Sequence, residues 1–464
     1  MLVAFALLTA LICGCEVEPR QAELESGEVF SGGAASTQRQ DANAFSMPST
    51  NLPPSRRMEF FVGNAFFRNA WVPRGSLPAN RSGLGPVFNS SSCQGCHIKD
   101  GRGHPPVAGK VGTALSTLVR LSVPAGAGSS MAMLREGVVP EPTYGTQLQD
   151  QALTGHSAEG QLLLRYQLSE VRMADGISVQ LRKPMLTLVN LGYGAMHPHT
   201  MMSMRVAPPM IGLGLLEAIS PDELLTNIAQ QERDGRVSGR LNQVWDVRLQ
   251  QTVMGRFGWK AGQSNLEQQN ASAFSGDMGL TNNLVRQDDC TSTQHLCVGD
   301  SADAVDVSAS IMASVLFYTR NLAVPTRREA GSREVLRGKA LFADIGCALC
   351  HRPSYVTAKA AEPELAGQKI FPYTDLLLHD MGEGLSDGRS DFLATGYEWR
   401  TPPLWGIGLT ERVSGHNQLL HDGRARNLLE AILWHGGEAS FARDSVINLP
   451  AAQRESLLRF LESL

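Results

Sequence analysis

Apolar residues recur at helical spacing in five stretches of the chain, at residues 58–71, 308–321, 332–344, 428–434 and 451–464. Within each stretch they fall every three or four positions, which is the period of an amphipathic α-helix. The pattern changes between residues 111 and 191, where the segments 118–123, 162–166 and 177–181 are typical of β-strands. The chain therefore predicts a mostly α protein with a β-rich excursion in its first half.

The first 55 residues carry a different pattern. Residues 2–12 form an apolar run too short to cross a bilayer, and Ile-Cys-Gly-Cys at 12–15 resembles a bacterial lipobox. Residues 16–55 are rich in Ser, Gly, Ala, Gln and Asn, a composition that favours a flexible tether. We therefore expect a lipoprotein signal peptide over 1–15, a lipid on Cys15, and a periplasmic protein anchored to the membrane, specifically the outer membrane.

Two copies of the motif Cys-x-x-Cys-His, at 93–97 and 347–351, are typical of c-type haem attachment. The two thiols form thioethers with the haem, and the histidine becomes the proximal iron ligand. The alternative is a zinc or redox Cys-x-x-Cys that happens to precede histidine. The motifs predict two covalently bound haem c groups, held by Cys93, Cys96, His97, Cys347, Cys350 and His351.

Each haem motif is followed by a similar segment that begins with Pro-Pro, at residues 208–215 and 402–409. An arginine stands just before each of these two Pro-Pro segments, at Arg205 and Arg400. The repeat predicts two tandem cytochrome c-like haem domains. We place the first at 56–330, with a β-rich insertion at about 111–200, and the second at 331–464.

The cysteine content and the net charge indicate which cellular compartment and which binding partners to expect. Of the 8 cysteines, four belong to the motifs, two lie near the N-terminus, and Cys290 and Cys297 are spaced for a local disulfide. A net charge of −4 gives no basic footprint, so nucleic acid is not an expected partner. The expected partners are an electron-donor or electron-acceptor protein or small molecule, and the membrane through the lipid on Cys15.

Further motifs resemble a known family. They are Gly-Pro-Val-Phe-Asn at 85–89, Asp-Gly-Arg-Gly at 100–103, Gly-Arg-Phe-Gly-Trp-Lys at 255–260, Gly-Asp-Met-Gly at 276–279 and His-Asp-Gly-Arg-Ala at 421–425. From about residue 58 to 464 the chain resembles the bacterial di-haem oxidoreductases, often labelled thiol oxidoreductase-like. These are related to di-haem cytochrome c peroxidases and to the di-haem enzyme that matures methylamine dehydrogenase.

The resemblance suggests a sixth ligand for the second haem. Residues 431–436 resemble the segment in which di-haem peroxidases place a distal methionine, and the matching residue here is His435. A helix-end histidine at the surface is the alternative reading, and His421 and His379 are the other ligand candidates. With imidazole in place of thioether, the second haem would have a lower potential.

No residue is comparably placed for the first haem. His104 follows His97 too closely to wrap to the opposite face of a haem. A second candidate source is a cluster within the insertion, whose histidines and methionines are His197, His199, Met196, Met201, Met202 and Met204. Since methionine-rich stretches are more often packing than ligands, we expect an open, peroxidase-like first haem.

The resemblance also implies residues that act around the haems. Asp277 matches the carboxylate that overhangs the reactive haem, Gln269 lies where a distal glutamine would sit, and Trp259 matches a tryptophan between the haems. Asp277 could instead cap the turn before residue 280, and Trp259 could be a core aromatic. A calcium ion between the domains, bound partly by the carbonyls of Thr401 and Pro403, is also implied.

Three functions fit these expectations. The first is a peroxidase-like haem enzyme whose second haem passes electrons to or from a reactive first haem. The second is a non-enzymatic electron carrier or redox sensor with both irons saturated, and the third is an oxygenase on the same scaffold.

Overall fold

The computed structural model describes residues 22–126, 128–295, 305–359 and 362–464. Its α-helices are, in chain order, α1 (Pro54–Arg68), α2 (Cys93–Cys96), α3 (Ser130–Arg135), α4 (Leu213–Glu217), α5 (Pro221–Asp234), α6 (Leu266–Met278), α7 (Ala309–Arg320), α8 (Arg333–Asp344), α9 (Gly382–Leu385), α10 (Thr410–Ser414), α11 (Leu428–Leu433), α12 (Ser440–Asn448) and α13 (Ala451–Ser463). Short 3-10 helices lie at Gly33–Ala35, Ala79–Arg81, Ile98–Asp100, Cys347–Leu349, Ile407–Leu409 and Gly437–Ala439.

The strands pair two by two. They are β1 (Ser36–Thr37), β2 (Val72–Pro73), β3 (Ser82–Leu84), β4 (Val87–Phe88), β5 (Thr117–Ser122), β6 (Gln151–Ala152), β7 (Gln161–Arg172), β8 (Ser178–Val189), β9 (Met201–Val206), β10 (Gln243–Asp246), β11 (Gln251–Met254), β12 (Val324–Pro325), β13 (Tyr355–Val356), β14 (Lys369–Ile370), β15 (Leu378–Asp380) and β16 (Glu398–Arg400). β1 with β12 and β2 with β3 are parallel. The antiparallel pairs are β4 with β6, β5 with β9, β7 with β8, β10 with β11, β13 with β14 and β15 with β16.

The prediction of a mostly α fold is wrong, because the structure contains 32% helix and 19% strand. Many of the strands are only two to four residues long, and a run that short carries no readable alternation of apolar and polar positions. The strands predicted at 118–123, 162–166 and 177–181 are present as β5, β7 and β8, and the latter two each extend over 12 residues.

The five helices predicted from apolar periodicity are present as α1, α7, α8, α11 and α13. Four of them form two pairs of crossing helices, α1 with α7 in the first half of the chain and α8 with α13 in the second. In the first pair, a Cβ on Gly63 of α1 would overlap the carbonyl of Ser314 on α7. In the second pair, a Cβ on Gly338 of α8 would overlap the carbonyl of Ser456 on α13. A glycine therefore allows the same close backbone approach at both crossings.

The Pro-Pro segments dock onto these pairs in the same way in both halves. Their second glycines, Gly214 and Gly408, lie against the backbones of Arg320 in α7 and Glu462 in α13. The two segments also pack on each other reciprocally. Ile211 of the first lies against the first glycine of the second, and Trp405 of the second lies against the first glycine of the first. The sequence repeat thus corresponds to a repeat of contacts, in which each Pro-Pro segment contacts the first glycine of the other.

A long β-hairpin formed by β7 and β8 extends from the first half onto the second. Its base lies in a hydrophobic cluster with Leu121 of β5, whereas Met173 at its tip is packed in the cluster that contains α8, α11 and α13. Arg454 of α13 pairs with Asp175 at 2.6 Å. Arg182 in the hairpin donates to the carbonyls of residues 423 and 424 and so contacts the loop that follows α10. The hairpin therefore ties the two halves together.

The segment predicted as a flexible tether is folded onto the body of the protein where the structure describes it. From residue 22 onward it packs on the body, and β1 pairs with β12. Glu28 is fully buried, where it forms ion pairs with Arg327 and, at 2.6 Å, with Lys339, and accepts a hydrogen bond from the Tyr373 hydroxyl at 2.8 Å. The composition of the segment could not predict these contacts, because the partners of Glu28 are three residues far away along the chain.

The predicted signal peptide, with Cys15, lies outside the described residues. Of the predicted Cys290–Cys297 disulfide, Cys297 also lies outside them. Cys290 is disulfide-bonded. Within the described ranges, no helix is both long enough and apolar enough to cross a membrane.

Candidate functional site: a cavity shared by both motifs

One continuous cavity receives both Cys-x-x-Cys-His motifs, so the two sites predicted from sequence lie within a single interior space. Both Pro-Pro segments contribute to its wall, as do α6, α8, α11 and α13. Trp259 also lines the cavity. A space with a cysteine pair and a histidine contributed from each half is suited to two cofactors held near each other.

The histidines of the two motifs, His97 and His351, have hydrogen bonds that suit them as metal ligands. Nδ1 of His97 lies 2.8 Å from the carbonyl of Pro208, and Nδ1 of His351 lies 2.9 Å from the carbonyl of Tyr373. Since a carbonyl can only accept, each Nδ1 carries the proton and each Nε2 keeps a free lone pair for a metal. Burial lowers the pKa of both imidazoles to about 4, which keeps them neutral.

Buried cations complete the fit to a cofactor that carries carboxylates. Arg102 and Arg400 are 5% and 8% exposed and line the cavity. Their guanidinium groups donate to backbone carbonyls, those of residues 418 and 420 for Arg102 and those of 258 and 401 for Arg400. Neither forms an ion pair with a carboxylate in the described part of the chain, and burial lowers the pKa of both to about 10. Haem propionates would supply the missing negative charge.

The second motif faces a further histidine. His435, just after α11, lines the cavity with His351, and its Nδ1 lies 2.7 Å from the carbonyl of Ala431. Its Nε2 is therefore free, and burial lowers the pKa of the ring, so that it is neutral. His435 thus has the same tautomer as the two proximal histidines.

The other two candidate ligands at the second motif are engaged elsewhere. His379 has both ring nitrogens at 2.8 Å from carboxylates, those of Asp375 and Glu438. Burial lowers the pKa of His379, but the charge of Asp375, followed by that of Cys350, raises it well above its usual value, and a ring protonated on both nitrogens cannot bind iron. His421 stacks on Trp399 at 3.6 Å and lies 6.5 Å from Trp259. It belongs to the aromatic group around Trp259.

Helix α6 supplies the wall beside the first motif. Gln269 and Asp277, two turns apart on α6, both line the cavity. The helix ends at Gly279, whose backbone is left-handed (φ 63°), and Gly85 lies directly against it. This contact brings the chain before the first motif to the helix end, where the N–H groups of residues 89 and 90 donate to the Asp277 carbonyl at 2.9 and 3.1 Å.

The Asp277 side chain faces the cavity and does not cap the turn. Its described hydrogen bond comes from Gln147, whose Nε2 lies 3.0 Å from Oδ1. Burial raises the pKa of Asp277, against the opposing effects of the Arg120 charge and the Gln147 hydrogen bond. Asp277 is close enough to the first motif to help raise the pKa of the Cys96 thiol to about 12, an effect due first to burial. A buried carboxyl with a raised pKa at a cavity wall is a candidate for proton transfer.

The remaining first-haem candidates lie away from the cavity. His104 lies against His416, with ring centroids 4.4 Å apart, and His197 and His199 lie against each other on the surface. None of these histidines lines the cavity, nor do Met196, Met201, Met202 and Met204. The methionines of the cavity wall near the first motif, Met210 and Met278, are packed in a hydrophobic cluster.

Trp259 connects the two halves through the backbone. Its indole N–H donates to the carbonyl of Val206 at 2.9 Å, and its own carbonyl accepts from the N–H of Arg400 at 2.9 Å. It therefore bridges the residues just before both Pro-Pro segments. Arg102 lies 5.4 Å above its ring.

Of the two residues implied for calcium, Thr401 has a carbonyl that is already occupied. The carbonyl of Thr401 already accepts from the Thr374 hydroxyl at 2.6 Å and from the Arg400 guanidinium at 3.1 Å. The positive charge of the Arg400 guanidinium, at hydrogen-bond distance from this carbonyl, would repel a calcium ion bound to the same oxygen. Pro403 lines the cavity beside it.

The sequence did not identify the residues that influence Asp277. Gln147, which donates a hydrogen bond to Asp277, and Arg120, whose charge lowers its pKa, come from the β-rich excursion, far from Asp277 along the chain, and neither belongs to a recognisable motif. Arg102 does lie in the Asp-Gly-Arg-Gly motif and Arg400 before the second Pro-Pro segment, so their position offered a signal. Their lack of a carboxylate partner becomes visible only in the fold.

A family model with the description "Di-haem oxidoreductase, putative peroxidase" matches residues 27–464. No curated protein matches the chain.

Proposed function

Since the chain belongs to the di-haem oxidoreductase family, which implies two haem groups, we propose that it is a peroxidase-like enzyme with a reactive first site and an electron-transferring second site. The observation that carries the proposal is the asymmetry of the cavity. The second motif faces His435, with a free Nε2, whereas the first faces Asp277 and Gln269 on α6.

This asymmetry matters because a haem with two imidazole ligands only exchanges electrons, whereas one with an open axial position also binds peroxide. In this proposal His97 and His351 would be the proximal ligands, and the flanking cysteine pairs would attach the haems covalently. His435 would be the second ligand at the second site. Arg102 and Arg400 would hold the propionates.

Asp277 moves the proton during peroxide cleavage. With a haem at the first site, its carboxylate would take a proton from one peroxide oxygen and return it to the other as the O–O bond breaks. Gln147 fixes the carboxylate by its hydrogen bond at 3.0 Å, and the Gln269 amide orients the peroxide. Complete reduction of one peroxide to two waters consumes two electrons and two protons, and the electrons come from a donor protein or small molecule through the second site.

Trp259 provides the route between the sites. It lies in the shared cavity, and its hydrogen bonds to Val206 and Arg400 tie it to both halves. A buried aromatic ring in this position shortens the through-space distance that an electron must cross.

Stopped-flow mixing of the fully reduced protein with one equivalent of hydrogen peroxide tests the proposal. We expect both haems to be oxidised and the peroxide to be consumed one for one. In Trp259→Phe, oxidation of the second haem should lag behind that of the first. If peroxide leaves the reduced spectrum unchanged, the protein is an electron carrier or sensor instead.

We also propose that the protein is exported and anchored by a lipid on Cys15, and that it works in the periplasm at the outer membrane. The lipobox-like sequence and the disulfide at Cys290, a bond favoured in oxidising compartments, support this. Metabolic labelling with radioactive palmitate should mark the wild-type protein but not Cys15→Ser. Equal labelling of both proteins would reject the anchor.

A further inference from the structure

The two proximal histidines have similar aromatic surroundings, because the contacts of the two halves repeat. Phe67 of α1 lies 6.3 Å from the His97 ring, and Phe342 of α8 lies 6.3 Å from the His351 ring. Behind each phenylalanine, at 5.1 Å, lies an aromatic ring from the partner helix, Tyr318 of α7 in the first half and Phe460 of α13 in the second. The halves therefore differ by one hydroxyl group at equivalent positions.

That hydroxyl is bound to a carboxylate. The Tyr318 hydroxyl donates to Oδ1 of Asp100 at 2.7 Å and accepts from the Asn64 amide at 2.7 Å. Tyr318 is 0% and Asp100 is 1% exposed. Asp100 lies just past the first haem motif, and its backbone N–H donates to the carbonyl of His97 at 2.9 Å. A phenol beside an acceptor of this kind can lose its proton as it loses an electron.

A second buried tyrosine provides an internal comparison. Tyr373, 5.9 Å from Phe342, donates to Glu28 at 2.8 Å. Glu28, however, is neutralised by ion pairs with Arg327 and Lys339, which weaken it as a proton acceptor. The Asp100 carboxylate accepts the hydrogen bond of the Tyr318 hydroxyl, and no cation forms an ion pair with it in the described part of the chain.

We infer that Tyr318 is a redox-active tyrosine of the first haem site, with Asp100 as the acceptor of its proton. The inference rests on the proposed function, which supplies the oxidant, because peroxide leaves the first site two electrons more oxidised. One electron passes from the Tyr318 ring past Phe67 to that site, and the phenolic proton moves to the Asp100 carboxylate. The products are a neutral tyrosyl radical, a protonated carboxyl, and a first site one electron closer to its resting state.

The role follows from the position of the pair. When the donor is exhausted, oxidising equivalents left at the first site would attack nearby side chains. Tyr318 gives them a defined place in the interior, on the opposite side of Phe67 from the cavity. The second site does not react with peroxide in this scheme, and there the equivalent ring is phenylalanine.

The test is electron paramagnetic resonance of the ferric holoprotein, freeze-quenched after mixing with hydrogen peroxide, with optical spectra recorded on the same samples. We expect a tyrosyl signal that narrows when the protein contains ring-deuterated tyrosine. The signal should be lost in Tyr318→Phe, which reproduces the residue of the second half, and kept in the matched control Tyr373→Phe. Asp100→Asn should lose most of the signal, although Tyr318 is still present.

The outcomes separate the inference from the function on which it rests. An optical response to peroxide without a tyrosyl signal that depends on Tyr318 overturns the inference and leaves the proposed function intact. A full signal in Asp100→Asn overturns the role of Asp100. If peroxide produces no optical response in the wild-type protein, the proposed function fails and the inference fails with it. Wild-type melting temperatures for the variants would exclude misfolding as the cause.

Discussion

At the scale of single residues, the chemistry of the site depends on which atoms are left free. His97, His351 and His435 each donate Nδ1–H to a backbone carbonyl, and in each the free Nε2 lies at a cavity wall. His379, by contrast, has both nitrogens bound to carboxylates. The motifs mark His97 and His351, but the sequence does not show that His435 keeps a free Nε2 and His379 does not.

We predict that Asp277→Asn keeps both haems but slows the reaction with peroxide by about 10²-fold, because an amide cannot carry the proton. The pH profile gives an independent check. Burial raises the pKa of Asp277, so the wild-type rate should fall with decreasing pH through a value above that of an ordinary aspartate. The acidic limb should vanish in the variant. An unchanged rate would assign Asp277 to structure.

In the proposed ligation, His435 would set the potential of the second site. In His435→Met we expect a higher midpoint potential for one haem and no change in the other, because thioether stabilises the ferric state less than imidazole does. Spectroelectrochemical titration measures both potentials. If His435→Ala keeps the low-spin spectrum of the second haem, then His435 is not the ligand and His421 becomes the next candidate.

At the scale of elements, periodicity predicted the long amphipathic helices α1, α7, α8, α11 and α13 correctly. It failed for short strands such as β10 and β15, whose pairing depends on distant segments. The Pro-Pro segments were recognised as a repeat. Their reciprocal packing could not be predicted, because it depends on which surfaces meet in the fold.

The helix crossing at Gly338 yields a stability prediction. In Gly338→Ala the new methyl group would overlap the Ser456 carbonyl and force α8 away from α13. We expect the overlap to lower the free energy of unfolding by about 1–3 kcal/mol. The higher helix propensity of alanine offsets part of this loss. Urea unfolding followed by circular dichroism measures it. Gly331→Ala, where the nearest atom is 3.9 Å away, is the matched control and should unfold like the wild type. Equal midpoints for the two variants would show that α8 can shift at no cost.

At the scale of the whole molecule, two similar halves enclose one cavity and differ in what they present to it. The haem motifs, proximal histidines and the candidates Asp277, Gln269, Trp259 and His435 could all be named from sequence, because motifs and family resemblance mark them. Gln147 and Arg120, which act on Asp277 through a hydrogen bond and through charge, could not. They come from the β-rich excursion, and only the folded chain brings them to α6.

Electron paramagnetic resonance of the resting ferric protein tests the central claim, an open first site beside a saturated second site, most directly. We predict one high-spin and one low-spin haem signal. Azide should convert the high-spin signal to low spin and leave the other unchanged, and His435→Ala should turn the original low-spin signal into a second high-spin one. Two low-spin signals that azide changes neither in the resting state nor after reduction of one haem would contradict the claim and favour an electron carrier.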